Sequence, residues 1–403
     1  EWFQEKLKFL LNDSIRLHLR SDVPVGAYLS GGIDSSLKAI LASKENSVNC
    51  ESFHGRFLEH PGYDESKYAQ IAASKYGGNL NMIDIESHHF RDNFENVIYH
   101  LDYPVAGPGS FPQFMVSKLA AEKVKVVLGG QGGDEIFGGY TRYLLAYFEQ
   151  CISAAIDGTY KNGNFVVTIE SIIPNLGILR EYKPMMREFW RKGLFGNLDE
   201  RYFRLINRSS DMEKEIDWGE LNKEHVFESF RKIFLNEANV RQGAYFDHMT
   251  HFDFKTLLPA LLQVEDRMSM AHGLESRVPF LDHELVELIA TAPADIKFSG
   301  GNMKHLIKQT YKGILPDAIL TRRDKMGFPV PLKEWLGGEL KNMVEDIFYG
   351  MKQKNRPFIN ADEVLSNFQS AGRFSRKVWS LMSLEIWHQT FHDRNHYFKS
   401  LLN

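Results

Sequence analysis

The stretch YLSGGIDSSLKA, residues 28–39, decides how this chain is read. An apolar, strand-like run from Val25 to Leu29 stops at Ser30-Gly31-Gly32-Ile33-Asp34-Ser35-Ser36, and a helix-compatible run from Leu37 to Ser43 follows at once. Backbone N–H groups at a helix start have no intrahelical partner, and the helix dipole brings partial positive charge to the same end. Glycines let the main chain approach an anion, and Ser35 and Ser36 add hydroxyl donors. The stretch therefore reads as a phosphate cradle at the carboxyl end of a strand. Asp34 would repel a bare phosphate. It makes sense when a divalent cation bridges the two, because Mg²⁺ favours a carboxylate or two plus phosphate oxygens. Taken alone, the stretch also admits a tight turn capped by Asp and Ser.

A second strand end repeats the logic. In KVVLGGQGGDEIFGGY, residues 125–140, a buried-type strand runs into a glycine-rich loop and then Asp134 and Glu135. The ends of parallel strands open on the same side of a sheet, so Asp34 and Asp134 can hold one Mg²⁺ between them. Other phosphate and nucleophile patterns fail. No G-x-x-x-x-G-K-[ST] occurs, Glu135 stands where the third glycine of G-x-G-x-x-G would be, and G-x-S-x-G is missing.

Strand-like runs at Val25–Ser30, Cys50–His54, Met82–Ile85 and Lys125–Leu128 alternate with helical patterns at 35–44, 65–76, 88–100 and 112–123. That alternation predicts βαβ units and a parallel, doubly wound sheet with right-handed crossovers. Beyond Tyr140, apolar residues recur at helical spacing through 142–156, 226–239, 244–264, 283–292, 303–311 and 338–349, with few strand signals. The chain of 403 residues exceeds the ~250–300 at which one core usually divides. The expectation is an α/β nucleotide-type region over 1–140 and a mainly helical region over 141–403. The polar stretch 207–225 and the Gly/Pro-punctuated 322–338 are the expected mobile or loop-rich segments.

A net charge of −4 leaves no basic footprint, so no nucleic-acid partner is expected. No apolar run approaches the ~20 residues of a membrane span, so no membrane partner is expected either. The two cysteines, Cys50 and Cys151, form no CxxC pair and read as buried small hydrophobes in a reducing, cytoplasmic compartment. His248 and His251 have i, i+3 spacing without a third ligand and read as a packed or solvated pair.

Together these features resemble the N-type ATP pyrophosphatases, whose loop reads SGGxDS, and more closely the C-terminal synthetase domain of glutamine-dependent asparagine synthetases. The supporting stretches are GYDESKYA (62–69), GGQGGDEIFGGY (129–140), EDRMSMAHGLESRVPFLDHEL (265–285), GGNMKHLIKQTY (300–311) and LPDAILTRRDKMGFPVPLKEWL (315–336). The resemblance runs in order from about residue 5 to 390. It implies the ATP-pyrophosphatase (adenine nucleotide alpha hydrolase-like) fold and an ATP-dependent carbon–nitrogen ligase that adenylates a carboxylate, releases pyrophosphate and admits ammonia.

On this sequence the resemblance implies that Ser30, Gly31, Gly32, Asp34, Ser35 and Ser36 hold the pyrophosphate end of ATP. Asp34 and Asp134 would bind Mg²⁺, while Leu29, Gly129 and Gly130 flank the nucleoside. Lys304 would stand against the phosphates as a catalytic cation, with Arg322, Arg323 and Lys325 in a loop able to close over them. Gln131 and Glu135 would face the acceptor, whereas Asp64 and Glu65 read as helix caps. The polar run Glu265–Asp282 fits buried ion pairs between the regions and substrate contacts equally well.

Two departures matter. Enzymes of this type carry an N-terminal glutaminase domain beginning with cysteine, whereas this chain opens at Glu1 inside an amphipathic helix. It is expected to be the C-terminal part of a longer enzyme or to take ammonia from elsewhere, and a homodimer is compatible with the family. Well-studied asparagine synthetases also place a glutamate where Gln131 stands. A neutral amide cannot act as a base, so the acceptor can be aspartate or another carboxylate, such as a uronic acid of a bacterial surface sugar, and ring-forming amide synthesis also stays open.

Overall fold

The computed structural model describes residues 1–45, 51–105, 107–156, 183–191, 193–240, 244–299, 302–322, 324–368 and 376–401. Cys50 and Arg323 lie outside them. The chain begins with helix α1 (Trp2–His18) and then alternates: β1 (Val25–Tyr28), α2 (Ile33–Glu45), β2 (Ser52–Arg56), α3 (Ser66–Tyr76), β3 (Leu80–Asp84), α4 (Ser87–Leu101), α5 (Ser110–Ala121), β4 (Val126–Leu128), the short α6 (Gly133–Phe137) and α7 (Thr141–Ile156). The four expected strands and their intervening helices are all present, with ends shifted by a residue or two. Among the described residues, no helix is long and apolar enough to cross a membrane.

All strand pairings are parallel, in the order β3-β2-β1-β4-β5. The chain winds outward from β1 through β2 to β3, then crosses back to lay β4 on the other side of β1. The order thus reverses between β1 and β4, and open α/β sheets bind ligands beyond the carboxyl ends of strands at such a point. Both glycine-rich loops leave the sheet there. Alternation along the strands sorts the faces. Ala27 and Leu128 enter a core with α1, α2 and α3, whereas Phe53 and Val127 pack with Val116 and Ala120 of α5 on the other face.

The fifth strand, β5 (Glu275–Arg277), was not anticipated: the region after residue 140 returns a strand to the sheet edge. Its side chains are polar and only three residues pair, too short for a period-2 signal. The expected helix 244–264 is two helices, Tyr245–Lys255 and Leu257–Met270, broken at Thr256, whose φ of −127° leaves the helical region. The pattern at 226–239 stops at Phe234. Segment 322–338 is loop-rich as expected apart from the short helix Leu332–Gly337, and at its start the Arg322 side chain is only 3% exposed.

Helix α1 fastens the sheet to the later chain. Leu7, Leu11 and Ile15 are fully buried with Phe280, Leu285, Ile289, Leu306 and Ile307, and the Ser14 hydroxyl donates to the Pro279 carbonyl at 2.7 Å. Of the histidine pair, His248 is buried, with Nδ1 2.6 Å from the Phe234 carbonyl oxygen, and His251 is half-buried. Cys151 is buried as well, and burial pushes its thiol up to about 12. Truncating Leu11 to Ala should cost about 2–5 kcal/mol, the range for a large-to-small change in a closed core. Equilibrium urea unfolding would read this as a lower midpoint at unchanged slope, and an unshifted midpoint would mean that α1 does not hold the core closed.

Candidate active site

The first loop is built on one backbone requirement. Gly31 has φ +72°, and a Cβ there would stand 2.4 Å from Tyr68 Cβ, so only glycine lets the chain turn beneath α3. The turn delivers Ser35 to the start of α2, where its hydroxyl lies 3.2 Å from the Ser30 N–H, 3.0 Å from the Ser30 hydroxyl and 3.3 Å from the Gly32 carbonyl. Leu29, at the end of β1, is buried and its N–H donates to the Phe53 carbonyl. Ser36 Oγ and Asp34 Oδ1 are buried and have no hydrogen-bond partner among the described residues. Buried polar atoms rarely stay unpaired, which sets these two apart from the satisfied polar groups around them.

The second loop meets the first. A Cβ on Gly130 would lie 3.8 Å from the Ser35 nitrogen, and one on Gly133 would lie 2.6 Å from Asp34 Cγ. Glycine at 133 is thus what lets the Asp34 carboxylate fit between the loops. Lys304 closes the arrangement from the far end of the chain: its Nζ is 2.5 Å from Asp34 Oδ2 and 2.6 Å from Asp134 Oδ1. It occupies the residue before helix His305–Thr310 with φ +57°, a left-handed conformation rare for lysine. Three residues from three parts of the sequence therefore converge on one point at the switch between β1 and β4.

The remaining sequence candidates divide. Gln131 donates to Glu265 Oε2 at 3.3 Å. Glu265 is buried and also accepts from the Ser276 hydroxyl at 2.6 Å, beside Gly129. Within the polar run, Glu265 thus faces the second loop, while Arg267 pairs with Asp102 and Arg277 reaches the His18 and Arg20 carbonyls as braces. Glu135 is turned inward and accepts from the Tyr140 hydroxyl at 2.5 Å, and burial raises its carboxyl above the usual range. Arg322 does not face the centre of the site; its guanidinium is engaged by Glu65 and the Gly31 carbonyl. Lys325 lies across Gly32.

Sequence reasoning missed three placements. Glu265 was not separated from its neighbours, and Glu65 is not a helix cap. Asp64 caps α3 instead, accepting from the Ser66 N–H and hydroxyl at 2.9 Å, while the Glu65 carboxylate points away from the helix. Arg142, 4.0 Å from the centroid of the Tyr140 ring and paired with buried Asp253, supports the second loop from α7. Only the density of charged residues in apolar surroundings hinted at these.

The family model described as asparagine synthase matches residues 6–389. The glutamine-hydrolyzing asparagine synthetase 1 of Bacillus subtilis is 29% identical over 392 residues, covering 95% of this chain and 59% of that protein. A putative glutamine-hydrolyzing asparagine synthetase of Mycobacterium tuberculosis H37Rv is 30% identical, covering 96% and 58%. A protein of Gibberella zeae named amidase chry2 is 24% identical, covering 88% and 56%. The chain thus spans less than three fifths of each of these relatives.

The charges in the site depend on one another. Burial alone would raise the Asp134 carboxyl, but Lys304, with Lys325 and Arg142 behind it, holds it well below the usual carboxylate range. Burial alone would lower the Lys304 ammonium, but Asp134 and Asp34 raise it above the usual lysine range. The depressed Asp134 carboxyl contributes stability that is lost only as pH falls through its folded value. In Lys304→Met the buried Asp34 carboxylate and the Asp134 carboxylate, 29% exposed, would face each other without a cation, and the folded state would take up a proton that the unfolded chain releases. Stability of the variant should then fall as pH rises. Urea unfolding should show a loss of about 3–5 kcal/mol near pH 8 and a smaller loss near pH 5; equal losses at both would mean the carboxylates do not share this cation.

Proposed function

The chain belongs to the asparagine synthase family, and from that premise we propose that it is the adenylating part of an ATP-dependent amide-forming ligase. In this reading the aspartate side-chain carboxylate attacks the α-phosphorus of ATP, and the bond to pyrophosphate breaks. Ammonia then adds to the acyl carbon, the carbon–oxygen bond to AMP breaks, a proton leaves nitrogen, and asparagine forms.

The observation that carries this reading is the Asp34–Lys304–Asp134 cluster between two glycine-rich strand ends. Ser30, Gly31, Gly32, Ser35 and Ser36 are suited to the pyrophosphate end of the nucleotide, and Leu29, Gly129 and Gly130 to the nucleoside. Lys304 supplies a fixed positive charge where negative charge builds on oxygen. Mg²⁺ fits the same donor set, because Asp34 Oδ1 is unpartnered and carboxylates from both loops already share one cation. Held by Asp34 and Asp134, it would neutralise the leaving pyrophosphate.

Ammonia would come from a glutaminase unit, the activity named in the relatives, in a cytoplasmic setting. Gln131 favours a second reading in which the acceptor is another carboxylate, such as a uronic acid. Its amide cannot take a proton, and it is committed to Glu265. The amidase name of one relative is compatible with a varied acceptor.

The test is incubation of the chain with Mg·ATP, ammonium salt and aspartate, with a uronic acid in parallel, reading AMP, pyrophosphate and amide by mass spectrometry. Asparagine formed in step with AMP is expected; AMP formed only with the uronic acid would move the acceptor to the second reading, and no AMP with either would sink both. Asp34→Ala and Asp134→Ala should abolish pyrophosphate release. Lys304→Ala should slow it by about 10²–10³-fold, the cost of losing one preorganised electrostatic contact, with little change in KM for ATP. An unchanged rate would remove Lys304 from the chemistry.

A further inference from the structure

Glu65 has a carboxylate with no evident local task. It stands at the start of α3, where Asp64 already caps the helix, and it makes no cap bond of its own. The residue is nonetheless 7% exposed, and burying a carboxylate is unfavourable unless strong donors meet it. The donors come from more than 250 positions along the chain: the Arg322 guanidinium and the Met326 N–H, the latter at 3.0 Å.

The contacts continue from there onto the first loop. Arg322 donates to the Gly31 carbonyl at 3.3 Å and lies 3.8 Å from the centroid of the Tyr68 ring. Asp324 accepts from Arg322 Nε and from the Tyr68 hydroxyl, both at 3.0 Å. Arg322, Asp324 and Met326 are thereby tied to the two elements that form the phosphate cradle. The consequence falls on Lys325, whose Cε and Nζ would lie 2.8 and 3.0 Å from a Cβ on Gly32. Lys304 is already claimed by two aspartates. Lys325 forms no carboxylate ion pair within 4.0 Å among the described residues, so its charge is available over the loop.

We propose that Glu65 is a positioning residue: by accepting Arg322 and the Met326 N–H, it pins those two residues beside the first loop and sets the Lys325 ammonium over Gly32 for the pyrophosphate group of the nucleotide. The proposal rests on the nucleotide reading given above. Glu65 itself touches no substrate; it acts through Lys325. Without it, Arg322 loses its carboxylate, the Met326 N–H loses its acceptor, and the exposed Lys325 side chain is no longer carried close to Gly32.

Two measurements on the intact chain test this without turnover. Amide hydrogen exchange in the absence of nucleotide should show protection around Met326 falling about tenfold in Glu65→Ala, the scale of one charge-assisted contact, with β1 and α2 unchanged. Calorimetric titration with inorganic pyrophosphate and Mg²⁺ should show affinity lowered about tenfold by Lys325→Ala and by Glu65→Ala. In the Lys325→Ala background Glu65→Ala should add little, because both act through one contact. Glu65→Gln keeps the side-chain volume and an oxygen for Met326 but removes the charge that holds Arg322, and it replaces the alanine variant in the calorimetric titration if that does not fold.

Undiminished pyrophosphate affinity in the Glu65 variant, or an effect that adds in full to that of Lys325→Ala, would overturn the proposal and leave Glu65 a structural residue. So would a parent chain that binds no pyrophosphate. Failure of the adenylation reading has a different signature: no AMP from any carboxylate, with the exchange and calorimetric results as expected.

Discussion

The bridge from Lys304 to Asp34 and Asp134 is the contact on which the rest of this molecule turns. Without a cation, the buried Asp34 carboxylate and the half-buried Asp134 carboxylate beside it would carry a desolvation cost or take up a proton. The ammonium removes that cost for both. It also demands that three distant pieces of chain arrive at one point: the start of α2, the loop after β4 and the residue before helix His305–Thr310. The left-handed backbone of Lys304 is local strain accepted for that convergence, and glycine at 133 leaves room for the Asp34 carboxylate.

The architecture around the bridge follows from this demand. A parallel sheet with its order reversed between β1 and β4 puts two strand ends side by side, each free to carry a loop. The later helices cannot be a detached unit, because they must return Lys304 to the sheet. They do so across α1, whose apolar stripe buries the helices on either side of the lysine, and through β5, which pairs with β4. The same return brings Glu265 against Gly129 and Gln131, so the loop that carries Asp134 is braced by the region that supplies its counter-ion.

A second, smaller convergence stands on the opposite flank of the first loop. Glu65, Arg322 and Met326 form a buried contact that is weak as an isolated stability element but orders a segment rich in glycine, proline and charge. Composition alone marked this segment as mobile or loop-rich, and it is loop-rich. Burial of one arginine beneath Tyr68 anchors its first residue, because a guanidinium with its donors satisfied by a carboxylate and a carbonyl is held in one geometry.

What was legible in the sequence was whatever depends on neighbours along the chain. Strands β1 to β4, the helices between them, the glycine turns and the acids Asp34 and Asp134 follow from hydrophobic period and from residue types at a helix start, and these are local properties. Lys304 could be marked only by resemblance, since nothing local distinguishes it from a surface lysine. Strand β5 was invisible because three polar residues carry no period, and it exists only because β4 offers an edge. The break at Thr256, the inward turn of Glu135, and the partners of Glu65 and Glu265 were decided by tertiary structure alone. In the latter two a charge is buried against donors that the sequence places far away, and burial and partner are properties of the folded chain rather than of any stretch of it.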